Sequence, residues 1–358
     1  MADMEILKAL SDAFGPSGFE DEVAEVIRKH TGEFDVTVDA MNNVFVALKS
    51  NTGDRPKVML DAHTDEVGFM VQHITGIGLI GFVNLGGWVT TNIPAHTVRI
   101  RNTKGEYVKG IVTSRPPHFM TDAEKSAPLD VESLLIDVGA TSREEVIRDF
   151  GIQVGDPIAP DVSFEVNEKN GTCFGKAFDN RVGCYSIIAT MKALKEAGDL
   201  TVDVIGCFAA QEEVGTRGAQ VTSQVVKPDL AIVFEGSPAD DFLTDRFQAQ
   251  CVLKNGTQIR HHDASYISSP RFISHARWIA DQGRIRYQCA VRRRGSTNAG
   301  KIHVSHKAVP VLVLGIPSRY VHTHYNFCAV DDIDSTVSLA AQVIRSLTPE
   351  VADSLMNG

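Results

Sequence analysis

The chain has 358 residues, 35 basic and 45 acidic side chains and a formal net charge of −10; at about 150 residues per domain it is long enough for two. The negative balance argues against a general affinity for nucleic-acid backbones or anionic membrane surfaces and leaves small molecules and proteins as the expected partners. No run reaches about 18 uncharged apolar residues and MADMEILKALSDAFGPSGFE lacks a basic-then-apolar leader, so a cytoplasmic location is expected.

In chain order, residues 3–14 read as a helix with Ile6, Leu7, Leu10 and Phe14 on one face, followed by a GPSG turn and a second helix carrying Val23, Val26 and Ile27. NVFVALKS and KVMLDAH read as strands. From about Gly68 to Pro160 the texture becomes short β-rich segments with many glycines, with no long amphipathic helix before SREEVIRDF. From about Cys173 an α/β alternation returns: a helix over 181–196, the strands VDVIGCFAA and LAIVFEG, a helix over 271–281, the strand VPVLVLGI and a final helix over 332–347. The pattern predicts an α/β domain split by a β-rich insertion. Cys173, Cys184, Cys207, Cys251, Cys289 and Cys328 lie far apart without a CxxC pair, which fits reduced, buried thiols.

Acidic and histidine residues cluster just past the apolar runs. His63 and Asp65 follow VMLDA, Glu212 and Glu213 follow CFAAQ, and Glu235 ends AIVFE. Asp179 precedes a helix, and His322 follows a strand in IPSRYVHTH. Ligand sites of open α/β sheets lie beyond the carboxyl ends of the strands. Taken singly, each residue has a plainer reading: His63 as a satisfied histidine, Asp179 as a helix cap, the adjacent glutamates as a solvated strand end. Their conjunction on five elements points to a site, and carboxylates so crowded repel one another unless cations neutralise them. Adjacent side chains diverge, so Glu212 and Glu213 are expected to do different work. Asp65, two residues after His63, is placed to hold the second ring nitrogen of that imidazole.

The segments HTDEVG, AFDNRVG, QEEVGTRGA, VFEGSPADD and RYVHTH, in this order, resemble the M42 metallo-aminopeptidases, a group also labelled glutamyl aminopeptidases or cellulases. GPSGFE, the GGW of the insertion, QIRHHDASYISSPRF and GSTNAGKIH support the likeness along essentially the whole chain. The resemblance implies a three-layer α/β/α zinc-peptidase-like catalytic domain over 1–68 and 166–358, with an inserted β-barrel-like dimerisation domain over 69–165. It implies two divalent ions, zinc or cobalt, bridged by Asp179, with Glu213 and His322 on one and His63 and Glu235 on the other. Glu212 would be the general base acting on a metal-bridging hydroxide, and the activity would be removal of N-terminal residues from peptides. The implied assembly is a homododecamer built from dimers.

A related dinuclear deacylase or carboxypeptidase is the nearest alternative. A glycan hydrolase leaves His63, Asp179 and His322 without work, and a non-catalytic scaffold leaves the full ligand set unexplained. Arg217 and Arg319 read as structural ion-pair residues, and Asp240 and Asp241 as a polar loop. The triplet Arg292, Arg293 and Arg294 reads as a solvated surface or subunit contact, or else as a pocket favouring acidic side chains. GSTNAG departs from the GGTDAG form of the family: Asn298 stands for an aspartate and Ser296 for a glycine, which puts in doubt any negative charge there for binding the substrate amine. His118, His261 and His262 receive no role.

Overall fold

The computed structural model describes residues 2–357, the Glu124 side chain excepted. The N-terminal pair of helices is α1 (Met4–Asp12) and α2 (Asp21–His30). Asp3 caps α1 by accepting from the amides of Glu5 and Ile6, and Ile6, Leu7 and Leu10 form its buried stripe. Phe14 is buried too, but beyond the helix end. Three strands follow, β1 (Asp35–Val38), β2 (Val44–Ala47) and β3 (Lys57–His63).

The next six strands form a closed barrel: β4 (Gly68–Ile74), β5 (Ile80–Leu85), β6 (Thr97–Arg101), β7 (Tyr107–Val112), β8 (Leu135–Asp137) and β9 (Pro157–Pro160), in the order β4-β5-β8-β7-β6-β9. Two short helices, α3 (Asp122–Ser126) and α4 (Arg143–Arg148), interrupt it. Its interior is filled by Phe69, Val71, Ile80, Val98, Ile100, Ile136 and Ile158, which alternate with outward positions as a barrel requires.

The chain then re-enters the first sheet through β10 (Glu165–Asn167) and β11 (Thr172–Gly175). It continues through α5 (Phe178–Ala197), β12 (Asp203–Ala209), α6 (Arg217–Val226), β13 (Leu230–Pro238), β14 (Thr257–His262), α7 (Pro270–Gly283) and β15 (Tyr287–Val291). The last elements are α8 (Ala299–Ile302), β16 (Val311–Arg319), β17 (Asn326–Ala329), α9 (Val330–Arg345) and α10 (Pro349–Met356). The sheet has 11 strands, its main path running β1-β2-β12-β3-β13-β16-β17-β11-β10, with β14 on β16 and β15 on β14. Strands β12, β3, β13 and β16 are mutually parallel. They are buried on both faces, which is why they read as continuous apolar runs rather than alternating ones. Helices α1, α5, α7 and α9 cover one face of the sheet, and α6 and α8 the other, giving three α/β/α layers.

Outside the barrel, strands β1, β10, β11, β14, β15 and β17 and helices α6, α8 and α10 carry no expectation from the sequence. TQIRHH is too polar to read as a core strand, yet Thr257, Gln258 and Arg260 are all buried in it. Among the cysteines, Cys289 is exposed, against expectation, because it sits on β15 at the edge of the sheet; the other five are buried, and all six are free thiols.

The junction of sheet and barrel is held by a buried ion cluster. Glu66, just after β3, accepts from Lys176 Nζ at 2.7 Å and Arg181 Nη2 at 3.3 Å, and from the Gly15 amide at 3.1 Å. Lys176 also donates to the Ala13 carbonyl at 2.9 Å, and Arg181 to the Thr64 carbonyl at 2.7 Å. Burial pulls the Lys176 ammonium down to about 8 even with Glu66 beside it. Removing one partner of a buried pair strands the other in low dielectric. Glu66→Gln is therefore expected to lower the unfolding free energy by about 3–5 kcal/mol, read as a shifted midpoint in denaturant melts; an unshifted midpoint would show that solvent reaches the cluster.

Candidate metal centre

Parallel pairing brings the strand ends together. His63 lies opposite Ala209 in the β3–β12 register, so the segment Gln211–Glu213 emerges beside the end of β3. Glu235 lies on β13 opposite Gly315 of β16. Asp179 stands at the start of α5 and His322 in the turn after β16, the latter with a left-handed φ of 61°. The crevice beyond the carboxyl ends of β3, β12, β13 and β16 thus receives all of these side chains.

Asp179 is fixed by its neighbour. Asn180 donates to the Phe234 carbonyl at 2.8 Å and accepts from the Gly236 amide at 3.1 Å, so its side chain clips onto β13 on both sides of Glu235. A Cβ on Gly236 would stand 2.3 Å from the Phe178 carbonyl oxygen and 2.7 Å from Asp179 Cα. Only glycine lets β13 approach this closely. The barrel closes the opposite side through the GGW segment, where Cβ atoms on Gly86 and Gly87 would come within 3.1 Å of Glu213 and 3.2 Å of His322.

The Asp179 carboxylate lies between two imidazoles, Oδ1 at 2.9 Å from His63 Nε2 and Oδ2 at 3.4 Å from His322 Nε2. Glu235 Oε1 is 3.7 Å from His63 Nε2, and Glu213 Oε2 is 3.3 Å from His322 Nε2. Two donor sets result, His63/Asp179/Glu235 and Asp179/Glu213/His322, each with its ligand atoms within 4.8 Å of one another and both using Asp179. A third, His63/Glu212/Glu213, meets the same spacing. Glu213 Oε1 and Glu235 Oε1 are buried without a hydrogen-bond partner, a costly state that a divalent cation would relieve. Mixed imidazole and carboxylate donors suit zinc, cobalt or a similar ion.

Among the protein groups alone, the electrostatics show how much positive charge this corner demands. Burial drives the Glu212 carboxyl well above the usual range, and the charges of Glu213, Glu235 and Asp179 add to it while His63 opposes. Burial and Asp179 raise Glu235 to about 7. Burial works against a charged His63, yet Asp179, Asp65 and Glu235 hold that imidazole well above its ordinary value. His322, likewise desolvated, is lifted to about 11 by Asp179 and Glu213. Asp179, despite burial, is held far below a normal carboxyl by the two imidazoles.

Asp65 is fully buried and organises the site from behind. Its Oδ1 lies 3.4 Å from His63 Nδ1 and accepts from the Glu212 amide at 2.8 Å; its Oδ2 accepts from the Glu213 amide at 3.1 Å and the Ser17 hydroxyl at 2.6 Å. Sequence reasoning anticipated the contact with His63 but assigned nothing to Ser17 or Asn180, whose partners lie far along the chain.

The remaining expectations divide. Arg319 pairs with Asp241 at 2.7 Å, as an ion-pair residue should. Arg217 instead donates to the amide oxygen of Gln211 at 3.2 Å. Asp240 and Asp241 are not merely a polar loop, since Asp240 pairs with Arg292 at 2.9 Å. Asn298 is buried and donates to Asp61 Oδ1 at 2.7 Å, so its change from aspartate bears on packing under the sheet and not on a substrate amine. His118, His261 and His262 belong to none of the three donor sets. A cleft of about 980 Å³ opens over the centre, lined by Glu212, Thr216, Arg260, the Arg292–Arg294 triplet and Ser296 among others.

Residues 42–339 match the family model described as M42 glutamyl aminopeptidase. The chain is 29% identical to the glutamyl aminopeptidase of Lactococcus lactis, over 98% of both chains. It superposes with a TM-score of 0.94 on the crystal structure of a TET aminopeptidase from a marine sediment archaeon, Thaumarchaeota archaeon SCGC AB-539-E09, at 35% identity over 98% of this chain and 99% of that one. The TET1 peptidase of Pyrococcus horikoshii, which can assemble into a tetrahedron or a large octahedral shell, matches with a TM-score of 0.85 at 27% identity, over 96% and 99% of the two chains.

Proposed function

Since the chain belongs to the M42 glutamyl aminopeptidase family, a family of metallopeptidases that hydrolyse peptides at the N-terminus, we propose that it does so at a two-metal centre with Glu212 as general base. The observation that supports this reading is the sharing of Asp179 between two donor sets with Glu212 beside both. Asp179 would bridge the ions, His63 and Glu235 completing one site and Glu213 and His322 the other. Two divalent cations, zinc or cobalt, would supply Lewis acidity toward the scissile carbonyl and toward water.

Everything else falls to this chain's own residues. Asp65 fixes the tautomer of His63 through Nδ1, which lies 3.1 Å from its backbone carbonyl oxygen and 3.4 Å from its Oδ1, leaving Nε2 to face the centre. Glu212 lines the cleft beside Glu213, Glu235 and Asp179, placed to act as the proton acceptor. It takes the proton of the attacking water and returns it to the leaving amine nitrogen. A free peptide α-amino nitrogen would also serve as a ligand to one ion, which an acylated nitrogen cannot.

The arginines support a preference for acidic first residues. Arg260 and Arg292 are neutralised by Asp263 and Asp240. Arg293 and Arg294 line the same cleft and make no ion pair among the described residues, so their charge is available to a bound carboxylate. We further propose that the chain works in the cytoplasm and self-associates through the β-barrel, as a homododecamer built from dimers.

Glu212→Gln is expected to keep both metals and to cut kcat by roughly 10²- to 10⁴-fold with KM little changed. Glu213→Gln should lose metal and partly recover activity when metal is added in excess. Elemental analysis with kinetics on one substrate decides it, and the opposite pattern reverses the two assignments. Across a panel of aminoacyl p-nitroanilides, Glu and Asp should lead, and Arg293→Ala/Arg294→Ala should reduce kcat/KM for the Glu substrate by roughly tenfold or more while sparing Leu. A wild-type preference for Leu would dismiss the acidic pocket.

A further inference from the structure

The GPSGFE turn between α1 and α2 is unused by the mechanism so far, yet it reaches the site. Gly15 donates to Glu66 at 3.1 Å and Pro16 forms a bridge with Glu66, which seats the turn against the loop after β3. Ser17 then donates to Asp65 at 2.6 Å. Glu20, fully buried, stands at the N-cap position of α2, where a side chain ordinarily accepts from the first helical amides, but it makes no such bond. Its Oε1 accepts instead from the Gly18 amide at 2.9 Å and from the Gln211 amide at 3.0 Å, a contact spanning 191 positions of sequence.

Three successive amides after β12 are therefore held by carboxylates: Gln211 by Glu20, and Glu212 and Glu213 by Asp65. Gln211 has a left-handed φ of 55°, a conformation that a residue with a Cβ keeps only where its surroundings impose it. The direction in which the next side chain leaves the backbone depends on that torsion.

We propose that Glu20 is a positioning residue for Glu212, acting through the Gln211 amide: it clamps the left-handed turn that aims the Glu212 carboxylate into the cleft. The inference rests on reading Glu212 as the general base. What matters is the reach of the Glu20 acceptor oxygen, since Asp65 already carries the charge behind the same loop, and this separates the proposal from a general electrostatic or packing role.

The test is a pair of variants in the full-length protein, loaded with metal. Glu20→Gln keeps the reach and an acceptor oxygen, and its kcat should stay within about threefold of the parent, while Glu20→Asp keeps the charge but withdraws the oxygen by one carbon, and its kcat should fall on the order of 10- to 100-fold with KM and metal content unchanged. In a Glu212→Gln background the Glu20→Asp loss should disappear, because the group it aims is gone. Equal losses in the two single variants, no loss in Glu20→Asp, or a loss carried in full into the Glu212→Gln background would overturn the proposal. Glu212→Gln retaining the parent kcat would instead remove the base assignment on which it stands.

Discussion

Four carboxylates, those of Asp179, Glu212, Glu213 and Glu235, meet with two imidazoles at one corner of a largely desolvated crevice. Like charges packed so closely in low dielectric repel by several kcal/mol per pair unless positive charge is supplied. This is the constraint to which the rest of the structure answers. It explains why both imidazoles are drawn toward the charged form and why two carboxylate oxygens are left without a hydrogen-bond donor. It also explains why a divalent-metal peptidase family has a use for such a corner.

The fold meets the constraint by making the crowded groups immobile. Six groups arrive from five elements: His63 from β3, Glu212 and Glu213 from the loop after β12, Glu235 from β13, Asp179 from the start of α5 and His322 from the turn after β16. A second set of polar groups then fixes each arrival. Asn180 clips α5 to β13, Asp65 ties the end of β3 to the loop after β12, and Glu66 gathers Lys176 and Arg181 under the same junction. Glycines 86, 87 and 236 permit the close approaches that the ligand spacing needs. The site is rigid because its supporting shell is buried and hydrogen-bonded, and that lets a small displacement matter for proton transfer.

Much of this was legible in the residues. Buried parallel strands read as unbroken apolar runs, so the polar residues following them were easy to place at strand ends, and the glycine-rich texture from about Gly68 to Pro160 marked a region of different architecture. The barrel's strand order was not legible, because pairing β4 with β9 and β5 with β8 depends on contacts remote in sequence. The strand β14 was missed because Ser237, more than 20 positions earlier, satisfies both Gln258 and Arg260, the latter together with its near neighbour Asp263. The partner of Asn298 was hidden for a similar reason, since nothing local reveals that it is Asp61, 237 positions away. Glu20 stands at the N-cap position of α2, yet its carboxylate accepts from an amide of another loop 191 positions away.

The central claim is that one carboxylate serves two cations. Its most direct measurement is the metal stoichiometry of the purified chain and of Asp179→Asn, by elemental analysis after equilibration with zinc or cobalt and removal of free ion. The account predicts two ions per chain in the parent and the loss of both together in the variant, since each donor set would be reduced to a single imidazole and a single carboxylate. A parent that binds one ion, or a variant that keeps one at full occupancy, would contradict it.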